Sequence, residues 1–360
     1  MVAVALDHVS VDFDGERALN DVSLEVADGE LLAIVGPSGS GKTTLLRAVA
    51  GLTEVSSGSV NFDGADVTRM EPATRNVGMV FQQPALFPHR NVRGNVAFPL
   101  EIRHEETEEI RRRVNAEARA LHLEQLLLRR PKELSRGEAQ LVQIARAMVR
   151  APALLLLDEP FITLDESLKV RMRAEIGLLQ EGYRVTTLMA TNDPGDVVTL
   201  PDRLAVIERG RLAQLAPRAE VHRAPATLNA AMSTGGVSTI PVTIDRVAGG
   251  FRLLGRHPDG GDGFALPAGG AGLADRVGEQ VTLGIRPEDL TIVPVGDLTA
   301  TVERVVPGSP PSIWCDVAGC NVVVRSPGPS VQVGDTIELR VHHSALFDET
   351  SGYTIAWRYR

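Results

Sequence analysis

Residues 36–44 read Gly-Pro-Ser-Gly-Ser-Gly-Lys-Thr-Thr, and no other stretch of the chain restricts its fold as strongly. The pattern G-x-x-x-x-G-K-[ST] belongs between a strand and a helix. Leu31–Val35 before it is an unbroken apolar run, as in a buried parallel strand; residues 45–50 after it read as a helix with Gly51 as its C-cap. In that setting Gly36, Gly39 and Gly41 turn backbone N–H groups inward around a phosphate chain. Ser38, Ser40 and Thr44 belong to the same cradle. Lys42 brings a point charge to the β- and γ-phosphates, and Thr43 offers a hydroxyl to Mg2+. The fold class follows as an α/β P-loop nucleotide-binding domain.

The 360 residues are enough for two or three domains. A net charge of −9 argues against a nucleic-acid partner, which calls for a basic face. No run of 18 apolar residues crosses a membrane, and the N-terminus lacks the pattern of a signal peptide. Two cysteines, Cys315 and Cys320, are too few for a disulfide framework and read as reduced thiols of a cytosolic chain, in preference to a metal site with His342 and His343.

Residues 84–152 take a helical pattern, with Ile110, Val114, Ala118 and Leu121 as one packed stripe. Beyond about Met232 Gly and Pro become frequent and short β-rich runs replace helical spacing, at 281–285, 301–306, 321–324, 336–341 and 353–357. The expected domains are therefore 1–232 and an all-β sandwich or small barrel at 233–360.

Further chemistry follows the P-loop in order. Residues 153–157 form an apolar strand ending in Asp158-Glu159. At the carboxyl end of such a strand Asp158 is placed for Mg2+ and Glu159 to polarise an attacking water. Gln82 follows another apolar run, and its amide can reach metal or water. Ser135 and Glu138 fit a capping box, S-x-x-E, which is also a second helix N-terminus ready for phosphate. Asn192 ends the run 188–191.

Together these residues resemble the ATPase subunit of an ATP-binding-cassette importer of the maltose and glycerol-phosphate type. Walker A at 36–43, the Q-loop at Gln82, the signature at 134–138, Walker B at 154–159, the D-loop at Thr163-Leu164-Asp165 and the switch at Thr191-Asn192-Asp193 stand in the family's order. Residues 284–289, Gly-Ile-Arg-Pro-Glu-Asp, match the signpost of its C-terminal oligosaccharide-binding-like (TOBE) module. The resemblance implies ATP and Mg2+, with Phe13 stacking on adenine. It further implies that Ser135, Gly137 and Asp165 act across a dimer of ATPase subunits, a homodimer being favoured. Two membrane permease subunits and an extracytoplasmic solute-binding protein complete the assembly, with this chain peripheral on the cytoplasmic face. The solute expected is a sugar, polyol or glycerol phosphodiester, with polyamine or oxyanion as the alternative.

Three departures stand out. Arg136 replaces the first signature glycine, Glu138 replaces glutamine with Ala139 and Leu141 for the following arginines, and Asn192 replaces the switch histidine. Asparagine donates a hydrogen bond but carries no charge. A hydrogen bond to a charged group is worth about 1.5–3 kcal/mol, so its loss in the transition state slows hydrolysis about ten- to a hundredfold. The alternatives are a poorly hydrolysing regulatory subunit and tolerated drift.

Overall fold

The computed structural model describes residues 2–359 apart from 14, 163, 249, 256–262, 269–270, 309 and 326–329. Thr163 of the expected D-loop lies outside the described residues. The chain forms two compact units, Met1–Val221 and His222–Arg360.

In the first unit β1 (Val4–Phe13) and β2 (Glu16–Val26) pair, and β3 (Leu31–Val35) runs through the glycine-rich loop into α1 (Lys42–Ala50), which stops at the expected Gly51. β4 (Ser57–Phe62) and β5 (Ala65–Asp66) complete an antiparallel sheet in the order β2-β1-β4-β5. After β6 (Val77–Val80) come α2 (Val92–Glu101), α3 (Thr107–Ala120) and α4 (Arg136–Met148). β7 (Leu154–Asp158), α5 (Glu166–Tyr183), β8 (Thr186–Ala190), α6 (Pro194–Thr199), β9 (Arg203–Glu208) and β10 (Arg211–Pro217) follow. The second sheet has the order β10-β9-β3-β8-β7-β6, parallel except for β10. Every residue of β3, β7 and β8 is buried, because helices and the antiparallel sheet leave neither face to water. Of the helical stripe Val114, Ala118 and Leu121 are buried and Ile110 is half-buried, and β2 buries Val22, Leu24 and Val26 in alternation.

A division falls between Val221 and His222, inside α7 (Arg218–Arg223), rather than after residue 232. The cause is α8 (Leu228–Ser233): Ala231 and Leu228 pack with Ala345 and Phe347, and Thr227 bridges Tyr353. Two antiparallel sheets follow. One, in the order β13-β12-β11-β14-β20-β21, contains β11 (Ser238–Val247), β12 (Gly250–Gly255), β13 (Phe264–Ala268), β14 (Gln280–Ile285), β20 (His343–Asp348) and β21 (Thr354–Tyr359). The other, in the order β15-β19-β16-β17-β18, contains β15 (Leu290–Val293), β16 (Leu298–Val306), β17 (Ser312–Val317), β18 (Cys320–Arg325) and β19 (Thr336–Val341). Ile240, Ile244 and Leu283 of the first share one core with Val302, Val322 and Leu339 of the second, which makes a sandwich. Cys315 and Cys320 are unpaired thiols, and burial pushes Cys315 up to about 11. His342 bonds Thr291 instead, and no metal-ligating cluster occurs among the described residues.

One side chain binds the P-loop helix to the rest of the first unit. Helices leave their last carbonyls without intrahelical partners. Buried Arg75 donates from Nη1 to the Ala48 and Val49 carbonyls at 3.0 and 2.9 Å, from Nε to Met70 at 3.0 Å and from Nη2 to Thr68 at 2.8 Å. Arg75→Ala strands these carbonyls and should lower stability by about 3 kcal/mol or more. Arg75→Lys should recover only part, since an ammonium cannot reproduce the planar fork. Urea unfolding of the three proteins measures both effects, and a loss under about 1 kcal/mol for the alanine variant would contradict the assignment.

Candidate active site

Four neighbouring parallel strands, β3-β8-β7-β6, end on one edge of the sheet. In open α/β sheets ligands bind outside such carboxyl ends. Their four exits carry, in that order, the glycine-rich loop, Asn192, Asp158 with Glu159, and Gln82. β7 lies between β8 and β6, and this placement decides the geometry of Glu159. Its Oε1 accepts from Asn192 Nδ2 at 2.8 Å and its Oε2 from Gln82 Nε2 at 3.0 Å. The backbone also turns sharply there: Glu159 has φ of 45°, and its N–H bonds the Ala190 carbonyl at 2.9 Å. A non-glycine residue in this region costs on the order of 1–3 kcal/mol. The carboxylate is therefore fixed by its backbone and by both of its oxygens.

At the loop, Gly36 has φ of 147°, and a Cβ there would lie 2.0 Å from the Ile207 carbonyl. Only glycine fits where the loop leaves β3 beside β9. Lys42 is buried and donates to the Gly36 and Pro37 carbonyls at 2.9 and 3.0 Å, two of the three protons of its ammonium. Gly41 precedes α1 with no side-chain cap, so the first N–H groups of that helix face the loop's interior. Ser40 is buried, whereas Ser38 and Gly39 are exposed at the loop's tip and Thr44 is half-buried in α1. Ser40 Oγ has no hydrogen-bond partner among the described residues. Thr43 Oγ1 donates to Asp158 Oδ1 at 2.9 Å.

Burial raises the carboxyls of Asp158 and Glu159 above the ordinary range, partly opposed by Lys42, and burial lowers Lys42. A hydroxyl and a carboxylate side by side are hard oxygen donors of the kind Mg2+ takes, so these residues fit that ion.

Beneath Asn192 lies a network that local sequence patterns do not reveal. Asp196 accepts from Thr191 Oγ1 at 2.5 Å and from Arg173 Nε at 2.7 Å. Asp193 accepts from Lys169 at 2.5 Å and lies 3.2 Å from Arg173. These bonds fix the loop that carries Asn192. Glu159, Asn192, Thr191, Asp193, Lys169 and Ile162 line a cleft of about 370 Å³.

The remaining expected site residues stand apart from this cluster. Ser135 and Glu138 form the capping box: Ser135 Oγ accepts from Glu138 N at 3.3 Å, and Glu138 Oε2 accepts from Ser135 N at 2.7 Å. The Glu138 carboxylate is thereby folded onto its own helix, 3.8 Å from Arg129. A Cβ on Gly137 would lie 2.1 Å from Leu168 Cδ2, so a packed leucine accounts for this glycine within the chain. Asp165 caps α5, accepting from Leu168 N at 2.9 Å and Ser167 Oγ at 2.7 Å. Phe13 closes β1 opposite Glu16 with its ring half-exposed.

Residues 19–162 match the ABC transporter family. The chain is 40% identical over 297 residues to the sn-glycerol-3-phosphate import ATP-binding protein UgpC of Paraburkholderia xenovorans, covering 81% of this chain and 80% of that one. A protein of the same description from Agrobacterium fabrum is 38% identical over 355 residues, 94% of this chain and 95% of its own. Among solved structures, a dimeric ATP-binding cassette in a post-hydrolysis state with ADP and Pi superposes with a TM-score of 0.55 at 28% identity, over 59% of this chain and 98% of that one. With the sheet edge, its loop and its paired carboxylates arranged as above, the chain belongs to the ABC transporter family, as the ATP-hydrolysing subunit of an importer.

Proposed function

We propose that two copies of this chain bind ATP and Mg2+ between them, the P-loop of one facing residues 134–138 of the other, and drive uptake of a glycerol phosphate or related polyol through separate membrane subunits. The observation that carries the catalytic part is the Glu159 carboxylate, held by Gln82 and Asn192 beside Lys42 and Asp158. In this reading Glu159 takes a proton from a water whose oxygen bonds to the γ-phosphorus, while the bond from that phosphorus to the β–γ bridging oxygen breaks. Lys42 stabilises charge on the phosphates. Thr43, Asp158 and Gln82 would hold Mg2+, which draws charge from the phosphate oxygens. The solute class rests on the names of the relatives above. A slowly hydrolysing subunit is the second reading, favoured by the neutral Asn192.

We assign coupling to the membrane subunits to the stretch after Gln82, with the chain at the cytoplasmic face. Asn95, fully buried, ties that stretch down: Oδ1 accepts from Phe87 N at 2.8 Å, and Nδ2 donates to the Phe87, Arg90 and Asn91 carbonyls at 3.1, 3.2 and 3.0 Å. A rigid loop transmits displacement, as coupling requires.

Glu159→Gln should lower ATP turnover by about a hundredfold or more while ATP binding persists and the closed dimer accumulates, read by steady-state ATPase and size-exclusion chromatography. Unchanged turnover would remove Glu159 from the mechanism. For the wild type, the acid limb of kcat should lie above the ordinary carboxylate range, since burial raises Glu159. Asn192→Ala should move that limb higher still, because the amide favours the ionised form; a limb moving lower would contradict the clamp. For the membrane arrangement, His89→Cys should crosslink to the permease subunits and Glu349→Cys should not. In proteoliposomes of the assembled complex, labelled sn-glycerol 3-phosphate should accumulate in preference to maltose, and the reverse preference would overturn the solute class.

A further inference from the structure

We infer that Arg136 of one copy is a catalytic residue of the nucleotide site of the other, bringing the positive charge that Asn192 lacks. This rests on the dimer reading above. Within one copy the reacting edge holds two carboxylates, Asp158 and Glu159; Lys42 acts on both and Arg47 on Asp158, from the side of the glycine-rich loop and α1. Asn192 is neutral and its Nδ2 is directed to Glu159. The cations behind it are already neutralised: Lys169 pairs with Asp193, and Arg173 with Asp196 and Glu166. A γ-phosphate arriving there meets no unpaired side-chain cation at the switch among the described residues, on the side where charge develops during transfer.

Arg136 has the placement to correct this from the facing copy. It is the first residue of α4 and is exposed. Its backbone is fixed from both sides, by the Ser135–Glu138 capping box and by Gly137 buried against Leu168. Successive helix positions point in different directions, so a buried Gly137 leaves Arg136 turned outward. The acid next to it does not neutralise it: Glu138 is bonded to the Ser135 N–H and lies beside Arg129. Arg136 itself has no ion pair or hydrogen bond among the described residues. A guanidinium presents several N–H donors in a planar fork, which suits phosphate oxygens better than a point charge does.

The two departures are then complementary. In a homodimer each site combines Asn192 from one copy with Arg136 from the other. Pairing with a chain that carries histidine and glycine at these positions would leave one site with neither cation and the other with both.

The test is steady-state ATPase of the assembled transporter. Arg136→Gly should lower kcat by about ten- to a hundredfold, the size of one hydrogen bond to a charged group. Arg136→Lys should keep part of the rate. Asn192→His should restore most of the turnover lost in Arg136→Gly. Mixing Arg136→Gly with Glu159→Gln subunits decides whether the arginine acts across the interface. The mixed dimer has one site with both Glu159 and Arg136, so activity should rise several-fold above either variant alone. Turnover unchanged or raised in Arg136→Gly, no rescue by histidine, or no gain on mixing would each overturn the inference. Size-exclusion chromatography of Glu159→Gln with ATP separates the causes. If it forms no dimer, the dimer reading fails and this inference with it; if it dimerises, those outcomes reject Arg136 alone.

Discussion

Everything in the nucleotide site depends on the order of four parallel strands. Because β7 is sandwiched between β8 and β6, the residue leaving β7 has an amide-bearing exit on each side. Glu159 therefore meets Asn192 through one oxygen and Gln82 through the other. The same order puts β3 beside β8, so the loop that begins at Gly36 opens onto the same edge, and Thr43 reaches Asp158. No one of these side chains would find the others without the sheet. Burial of all five residues in β3, β7 and β8 is what makes that sheet rigid enough to hold a carboxylate in a strained backbone turn.

Legibility in the sequence tracks the range of the interaction. The P-loop, the strand that ends in Asp158-Glu159, the helix stop at Gly51 and the capping box of Ser135 are set by residues within a few positions, and each reads directly. Gln82 and Asn192 were legible as polar residues at strand exits, but their meeting on one carboxylate depends on strand order, which no local pattern carries. Arg75 is a stronger case. It sits 26 and 27 residues from the carbonyls it binds on α1, and a lone arginine before a strand has no periodic signature. The Arg173–Asp196 pair is hidden likewise, since charges on a helix read as a solvated face.

In the second unit the missed strands had signals of different quality. β11 buries Ser238, Ile240, Val242 and Ile244 in strict alternation, a period-2 pattern present in the sequence but interrupted to the eye by Pro241. The compact units divide at Val221/His222, short of the composition change near residue 232, for a tertiary reason. Composition changes there, yet α8 is covered by Ala345 and Phe347, which arrive more than a hundred residues later. Composition marks where β structure begins; packing decides which helix belongs to it.

The departures from the importer pattern acquire a common logic once charge is followed through the site. A hydrogen bond to a charged group is worth about 1.5–3 kcal/mol, so in the proposed mechanism Asn192 in place of a protonatable imidazole would remove an effect of that size from the transition state. The segment that faces it in the proposed dimer carries an exposed arginine on a capped helix, with the neighbouring acid, Glu138, drawn back onto the Ser135 N–H. An acid left projecting beside Arg136 would cancel the guanidinium; an acid used as a cap does not. A single intact cap thus has two consequences: it holds α4 in position, and it keeps the field at its N-terminus positive. In the proposed homodimer the same arrangement would let a second copy bring an arginine to a site that carries asparagine at the switch.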